Sequence, residues 1–249
     1  MAYFKFNDKK IHYLEKRKGD LLLILPGNTS AAIAHQAQID FFSQYYFVVS
    51  MDYLGTGQSE RLETWDENWW EQSAEQAHVL INHLGKEQAI IVGTSGGAIV
   101  GAHLAGRYPQ KVKALVLDSF SRAFTPGMFE SNVLKSRQNP DEMQKQFWKY
   151  CHGEDWEHVV GRDTAAIKYL VDNGGDWLKG IHKNWECPAL LTGSLQDGFL
   201  PDMEKEYKRI AAESVNTKIA LSPGGAHPLI WTNPDFFYNE TIAFLSQLT

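Results

Sequence analysis

The stretch Ile90-Ile91-Val92-Gly93-Thr94-Ser95-Gly96-Gly97-Ala98-Ile99-Val100 constrains this chain more than any other. An apolar run of strand type enters the pentapeptide GTSGG, and a small-residue helical pattern leaves it. A serine on so sharp a strand-to-helix turn takes a strained backbone conformation, and the residues two positions either side must lack a Cβ. Gly93 and Gly97 meet that demand. The turn lifts the Ser95 hydroxyl above the carboxyl end of a sheet, while the helix behind it aims unpaired N–H groups at any developing negative charge. A bare GxSxG is weak evidence; the flanking strand and helix give it weight. The phosphate-cradling patterns GxxxxGK[ST] and GxGxxG are not found at this turn.

The rest of the chain supplies a sheet for this turn to belong to. Leu21–Leu25, Tyr46–Ser50, Ala89–Val92, Ala114–Leu117, Ala189–Thr192 and Thr217–Leu221 are short apolar runs, as expected of strands buried on both faces of a parallel sheet. Helix-period segments fill most gaps: Ala31–Ser43, Trp69–Leu84, Gly97–Arg107, Pro201–Glu213 and Asn233–Leu248. Ahead of them, Phe4-Lys5-Phe6 and Ile11-His12-Tyr13-Leu14 flank the polar turn Asn7-Asp8-Lys9-Lys10 and predict an opening hairpin. Strand–helix alternation of this kind indicates a doubly wound α/β sheet. About 70 residues separate Leu117 from Ala189, far more than one crossover helix needs, so an inserted lobe is expected there. The expected division is a core of residues 1–119 and 187–249 with a helical cap at 120–186. That insertion carries Trp148, Trp156, Trp177 and Trp185, half of the 8 tryptophans.

Charge and cysteine content exclude several function classes. Lys+Arg total 24 against 30 Asp+Glu, a net charge of −6, with no basic block, so nucleic acid is a poor partner. The longest aliphatic run, Leu21–Leu25, is about a quarter of the roughly 20 residues a membrane span needs, and MAYFKFNDKK has no signal-peptide h-region. A cytoplasmic protein with no membrane partner is expected. Cys151 and Cys187 are too few and too distant for a disulfide scaffold or a CxxC zinc site, so no metal is expected and both are expected to be reduced structural thiols.

A serine hydroxyl needs a base to take its proton, and the base needs an orienting carboxylate. After a nucleophile on such a turn, the acid and then the histidine follow in chain order. Nine histidines compete. His227, in SPGGAHP after the last predicted strand, falls at the carboxyl edge of the sheet, while the others precede Ser95 or fall on helices or in the insertion. Asp197, in the loop after Ala189–Thr192, stands one strand before His227. Asp118, which ends Ala114–Leu117, satisfies the same geometry from a neighbouring strand. For the oxyanion, the N–H of Gly96 is one donor; the other is expected from Asn28 in LPGNTS, where Gly27 allows close backbone approach, although Asn28-Thr29-Ser30 also reads as a plain turn and helix cap.

These residues resemble the α/β-hydrolase superfamily over nearly the whole chain. The segments that carry the resemblance are LPGNTS (25–30), DYLGTGQS (52–59), GTSGG (93–97), RYPQKVKALVLD (107–118), CPALLTGSLQD (187–197) and GGAHP (224–228). The resemblance implies an α/β-hydrolase fold with a mostly parallel eight-stranded sheet flanked by helices, a cap inserted after the sixth strand, no cofactor, and a Ser95–His227–Asp197 triad. Pro26-Gly27 stands where many members have His-Gly; the donor is a backbone N–H one residue on, so catalysis is expected to survive. The segment 52–59 fits a structural turn.

The leading expectation is hydrolysis of a small carboxylic ester through an acyl-enzyme. Amide, aminopeptidase-type or carbon–carbon hydrolysis can run on the same residues, as can thioester or peroxide chemistry, and a receptor-like binder of a small molecule is the alternative of another class. Phe124, Phe129, Phe147, Trp148, Tyr150 and Trp156 are candidate pocket aromatics, with the cap's own core as the competing role. Glu142, Glu154, Asp155 and Glu157 suit either an amine-bearing substrate or a solvated face.

Overall fold

The computed structural model describes residues 2–248. Eight strands form one sheet: β1 (Ala2–Phe6), β2 (Lys9–Lys16), β3 (Leu21–Leu25), β4 (Phe47–Met51), β5 (Ala89–Thr94), β6 (Val112–Asp118), β7 (Ala189–Ser194) and β8 (Thr217–Ser222), in the spatial order β1-β2-β4-β3-β5-β6-β7-β8. β1 and β2 pair antiparallel, as do β2 and β4; every later pair is parallel. The opening hairpin is tighter than its polar stretch suggests. Only Asn7 and Asp8 form the turn, both with left-handed φ (49° and 64°), while Lys9 and Lys10 pair with Phe6 and Lys5. Two consecutive positive φ angles match the twist of the strands, and Asn and Asp tolerate them.

The continuous apolar runs arise because helices cover both faces. Leu21, Leu23 and Leu25 of β3 join one core with α2 (Trp69–His83) and α3 (Gly96–Arg107), whereas Leu22 and Ile24 join a second with α1 (Gln36–Phe42) and α10 (Pro234–Leu245). β5 and β6 divide in the same way, Ile91 and Leu115 facing the first core, Val92 and Val116 the second. The segment expected as one helix from Ala31 begins instead as a 3-10 turn, Ala32–His35, before α1.

Between β6 and β7 stand α4 (Pro126–Met128), a π-helical turn (Phe129–Leu134), α5 (Lys135–Gln138), α6 (Glu142–His152) and α7 (Trp156–Asp172). The ends of this insertion meet at its base: Phe124 N–H donates to Gly175 O and Trp177 N–H to Arg122 O. Its tryptophans separate in space. Trp148 and Trp156 stack within it at 5.4 Å, but Trp177 packs edge-on to Trp70 of α2, and Trp185 donates its indole N–H to Ala102 O of α3. Two of the four therefore weld the returning chain to the core. α8 (Met203–Glu213) and α9 (Leu229–Thr232) complete the fold. Among the described residues no helix is long and apolar enough to cross a membrane. Cys151 and Cys187 are free and buried, and burial pushes their thiols up to about 12 and about 11, so neither is a ready nucleophile at neutral pH.

Candidate active site

Ser95 sits between β5 and α3 with φ 52° and ψ −123°. Sheet pairing holds it there, because its N–H donates to Asp118 O (2.8 Å), and its own carbonyl accepts the first helical bond from Ala98 N–H. Glycine is required around it on both sides. A Cβ on Gly93 would lie 2.4 Å from Gly97 O, and one on Gly97 would lie 2.0 Å from Leu25 O. A Cβ on Gly96 would fall 1.7 Å from Asn28 Oδ1, a side-chain atom that can move aside, so Gly96 is less constrained than Gly93 and Gly97.

Three side chains from three loops converge. Ser95 Oγ lies 3.0 Å from His227 Nε2, and His227 Nδ1 lies 2.8 Å from Asp197 Oδ2. The other oxygen, Asp197 Oδ1, accepts from Phe199 N–H (2.8 Å) and Leu200 N–H (3.0 Å), so the carboxylate is fixed by its own loop. The Phe199 ring stacks on the imidazole at 4.7 Å. Those bonds and that stack restrain Asp197 and His227 before any substrate arrives.

Asp118 is held by other partners. Its Oδ2 accepts from Thr94 Oγ1 (3.0 Å) and Ile230 N–H (3.1 Å), and its Oδ1 from Thr192 Oγ1 (2.9 Å). It makes no hydrogen bond to His227 and instead ties the ends of β5, β6 and β7 to α9, directly after the histidine loop. Burial raises its carboxyl to about 6, against the lowering effect of those donors. Ser119 adds to the clasp by accepting from Leu229 N–H.

Asn28 and Gly96 both line the cavity above Ser95. Gly96 opens α3, so its N–H is among those with no intrahelical acceptor, and Asn28 N–H has no acceptor among the described residues. The cavity has a volume of about 520 Å³. Phe124, Phe147 and Trp148 line it. Phe129 does not: it is 6% exposed and packed into the larger core. Trp156 stacks behind Trp148, and Tyr150 is exposed, so neither borders the cavity. The acidic residues of the cap lie outside it as well. Glu142 pairs with Lys145, Glu154 with Lys149 and Asp155 with Arg61, while Glu157 is exposed. That is the solvated-face reading.

A family described as the alpha/beta hydrolase fold matches residues 20–149, more than half of the chain. The chain belongs to this family. A protein of Azorhizobium caulinodans assigned as the carbamate hydrolase RutD is 23% identical over 273 residues, covering 100% of this chain and 99% of its own. Among solved structures, MGS-M2, an alpha/beta hydrolase from a Medee basin deep-sea metagenome library, superposes with a TM-score of 0.80 at 20% identity, covering 98% of this chain and 97% of its own. The enol-lactonase of Burkholderia xenovorans LB400 gives 0.77 at 17% identity, covering 98% and 100%. At such identities the likeness is one of fold.

Within the alpha/beta hydrolase frame, the Pro26-Gly27 loop is braced by side chains distant in sequence. Tyr53, fully buried in the 52–59 turn, donates its hydroxyl to Pro26 O (3.1 Å), and the Trp70 indole donates to Asn28 Oδ1 (3.1 Å). The turn itself is organised by Asp52, which accepts from Ala32 N–H and Gln58 N–H and meets His12 Nδ1. Neither brace has a local sequence signal, because each joins residues 27 or 42 positions apart.

Proposed function

We propose that this protein is a serine hydrolase that cleaves small carboxylic esters, or related acyl compounds, through an acyl-enzyme and without a cofactor. The observation that carries this reading is the unbroken chain Ser95 Oγ, His227 Nε2, His227 Nδ1, Asp197 Oδ2, with steps of 3.0 and 2.8 Å, at the floor of a cavity. Ser95 Oγ attacks the carbonyl carbon while Nε2 takes its proton, and Asp197 holds the imidazole in the tautomer that accepts it. The carbonyl oxygen becomes an oxyanion that receives the Asn28 and Gly96 N–H groups, each such donor contributing about 3 kcal/mol to the transition state. Collapse expels the leaving group, which takes the proton from Nε2. Water then attacks the acyl carbon, gives a proton to Nε2, and the second collapse returns that proton to Ser95 as the acid leaves.

Carbamates and amides share this sequence of steps, and the Azorhizobium caulinodans relative is assigned as a carbamate hydrolase. They belong in the first substrate panel beside simple esters. A ligand-binding role has no use for an aligned base, which weighs against it. Rapid mixing with 4-nitrophenyl acetate tests the proposal: a burst of one nitrophenolate per protein molecule is expected, absent in Ser95→Ala. No burst, with an equal slow rate in the variant, contradicts it.

A further inference from the structure

The cavity has an unequal distribution of charge. Its floor carries the Ser95–His227 pair, and most of its wall is apolar. Among the described residues that border it, Arg137 is the one permanently charged side chain, and no carboxylate borders it at all. Arg137 comes from α5, directly after the π-helical turn, and Asn132, Val133 and Ser136 of the same helical run also face the cavity. Gln144 of α6 borders it beside them and donates to Ser136 Oγ. Polar groups therefore line the cap side of the space as well as its floor, and the one permanent charge lies on the cap side.

Asp163 backs the guanidinium. It lies on α7, is wholly buried, and sits 2.7 Å from Arg137 Nη2, while Nη1 donates to Thr164 Oγ1. Neither Asp163 oxygen has a hydrogen-bond partner of good geometry, so its one counter-charge among the described residues is this arginine. A buried ion pair is a poor source of stability compared with apolar packing of the same volume, so its place in a cavity wall calls for another role. Thr164 takes one of the five N–H donors of a planar fork and Asp163 supplies a counter-charge beside Nη2; the fork's geometry suits a carboxylate on its free edge.

We infer that Arg137, held by Asp163 and Thr164, receives a carboxylate carried by the substrate at a distance from its scissile carbonyl, so that the protein hydrolyses acyl compounds that are also anions. This rests on the acyl-transfer reading above and adds a substrate class to it.

The test compares methyl hemiesters of C4 to C6 dicarboxylic acids with the corresponding dimethyl esters. A charge-assisted contact predicts kcat/KM higher by roughly 10- to 100-fold for the best hemiester, carried mainly by KM. Arg137→Met is expected to collapse that ratio towards one, and Arg137→Lys to keep part of it. The double variant R137M/D163N removes both members of the pair and should lose the preference in the same way, without stranding a buried charge. Calorimetry of the hemiesters on Ser95→Ala gives a readout that needs no turnover: adding R137M should weaken binding at least tenfold. Equal rates for the two ester types, a preference that survives R137M, or isotherms unmoved by it would overturn the inference. If no ester of either kind is cleaved, the acyl-transfer reading fails, and the isotherms still decide the anion site.

Discussion

The floor and the roof of the cavity are built by different means. At the floor, sheet pairing and one buried carboxylate fix position: Ser95 N–H is paired to Asp118 O, Gly93 and Gly97 admit no Cβ, and the Asp118 carboxylate clasps three strand ends to α9. At the roof, side chains do the holding. The cap meets the core through His152 Nδ1, which accepts from Gly57 N–H, and through Arg61, which donates to His152 O and pairs with Asp155. A floor set by the sheet tolerates little change in its residues, whereas a roof hung on side chains can change its lining without disturbing the sheet. On the proposed function, chemistry is kept below and selectivity above.

The largest effect that would break this division is on the two aspartates. Asp197→Asn should lower kcat by about 10⁴-fold, because the imidazole is then held in the wrong tautomer. Asp118→Asn should leave kcat within about tenfold, yet cost about 1–3 kcal/mol in denaturant unfolding, since it disturbs a buried hydrogen-bond network. The reverse pattern in steady-state kinetics would move the acid role to Asp118.

Two aromatic residues of the cap sharpen the contrast next. Phe129→Ala should destabilise by about 3–5 kcal/mol, as deletion of a buried ring does, with KM little changed. Phe147→Ala should raise KM severalfold at a small cost in stability, because Phe147 borders the cavity. Equal KM effects would merge the cap's core with its lining.

The smallest effect concerns the contact between floor and roof. Burial, its largest cause, lowers the His152 pKa to about 4, and its neutral Nδ1 is the acceptor for Gly57. The unfolded chain binds the proton near 6.5, so this histidine's contribution is intact above that pH and declines as pH falls from 6.5 towards 4, by about 2 kcal/mol at pH 5. His35, lowered to about 4 by burial, acts in the same direction, and Asp118, raised to about 6, opposes them. His152→Asn keeps an acceptor and removes the titration. Its unfolding free energy should therefore fall less between pH 7 and 5 than that of the unsubstituted protein; parallel curves would show that His152 does not set the pH dependence.

The same contrast explains what is legible in the sequence. Strand runs and the GTSGG turn depend on local pattern, and the structure reproduces them to within a few residues. Residue pattern leaves Asp197 and Asp118 both open, because β6 ends on Asp118 and Asp197 follows the end of β7 at the same edge of the sheet; the family resemblance is what favours Asp197. The structure adds the reason: Thr94, Thr192 and Ile230 occupy the Asp118 carboxylate, while Asp197 meets His227. In the cap, a π-helical turn over Phe129–Leu134 shifts the helical phase, so no 3.6-residue period predicts that Phe129 packs wholly into the core while Arg137 borders the cavity. Tyr53 and Trp70 are unreadable for another reason: they brace a loop met much earlier in the chain.

The nucleophile is tested most directly by mass spectrometry after brief exposure to a fluorophosphonate. One adduct per chain is expected, on Ser95, its formation slowed strongly by His227→Ala. No adduct, or one on another residue of the folded protein, contradicts the assignment of Ser95 as the activated serine.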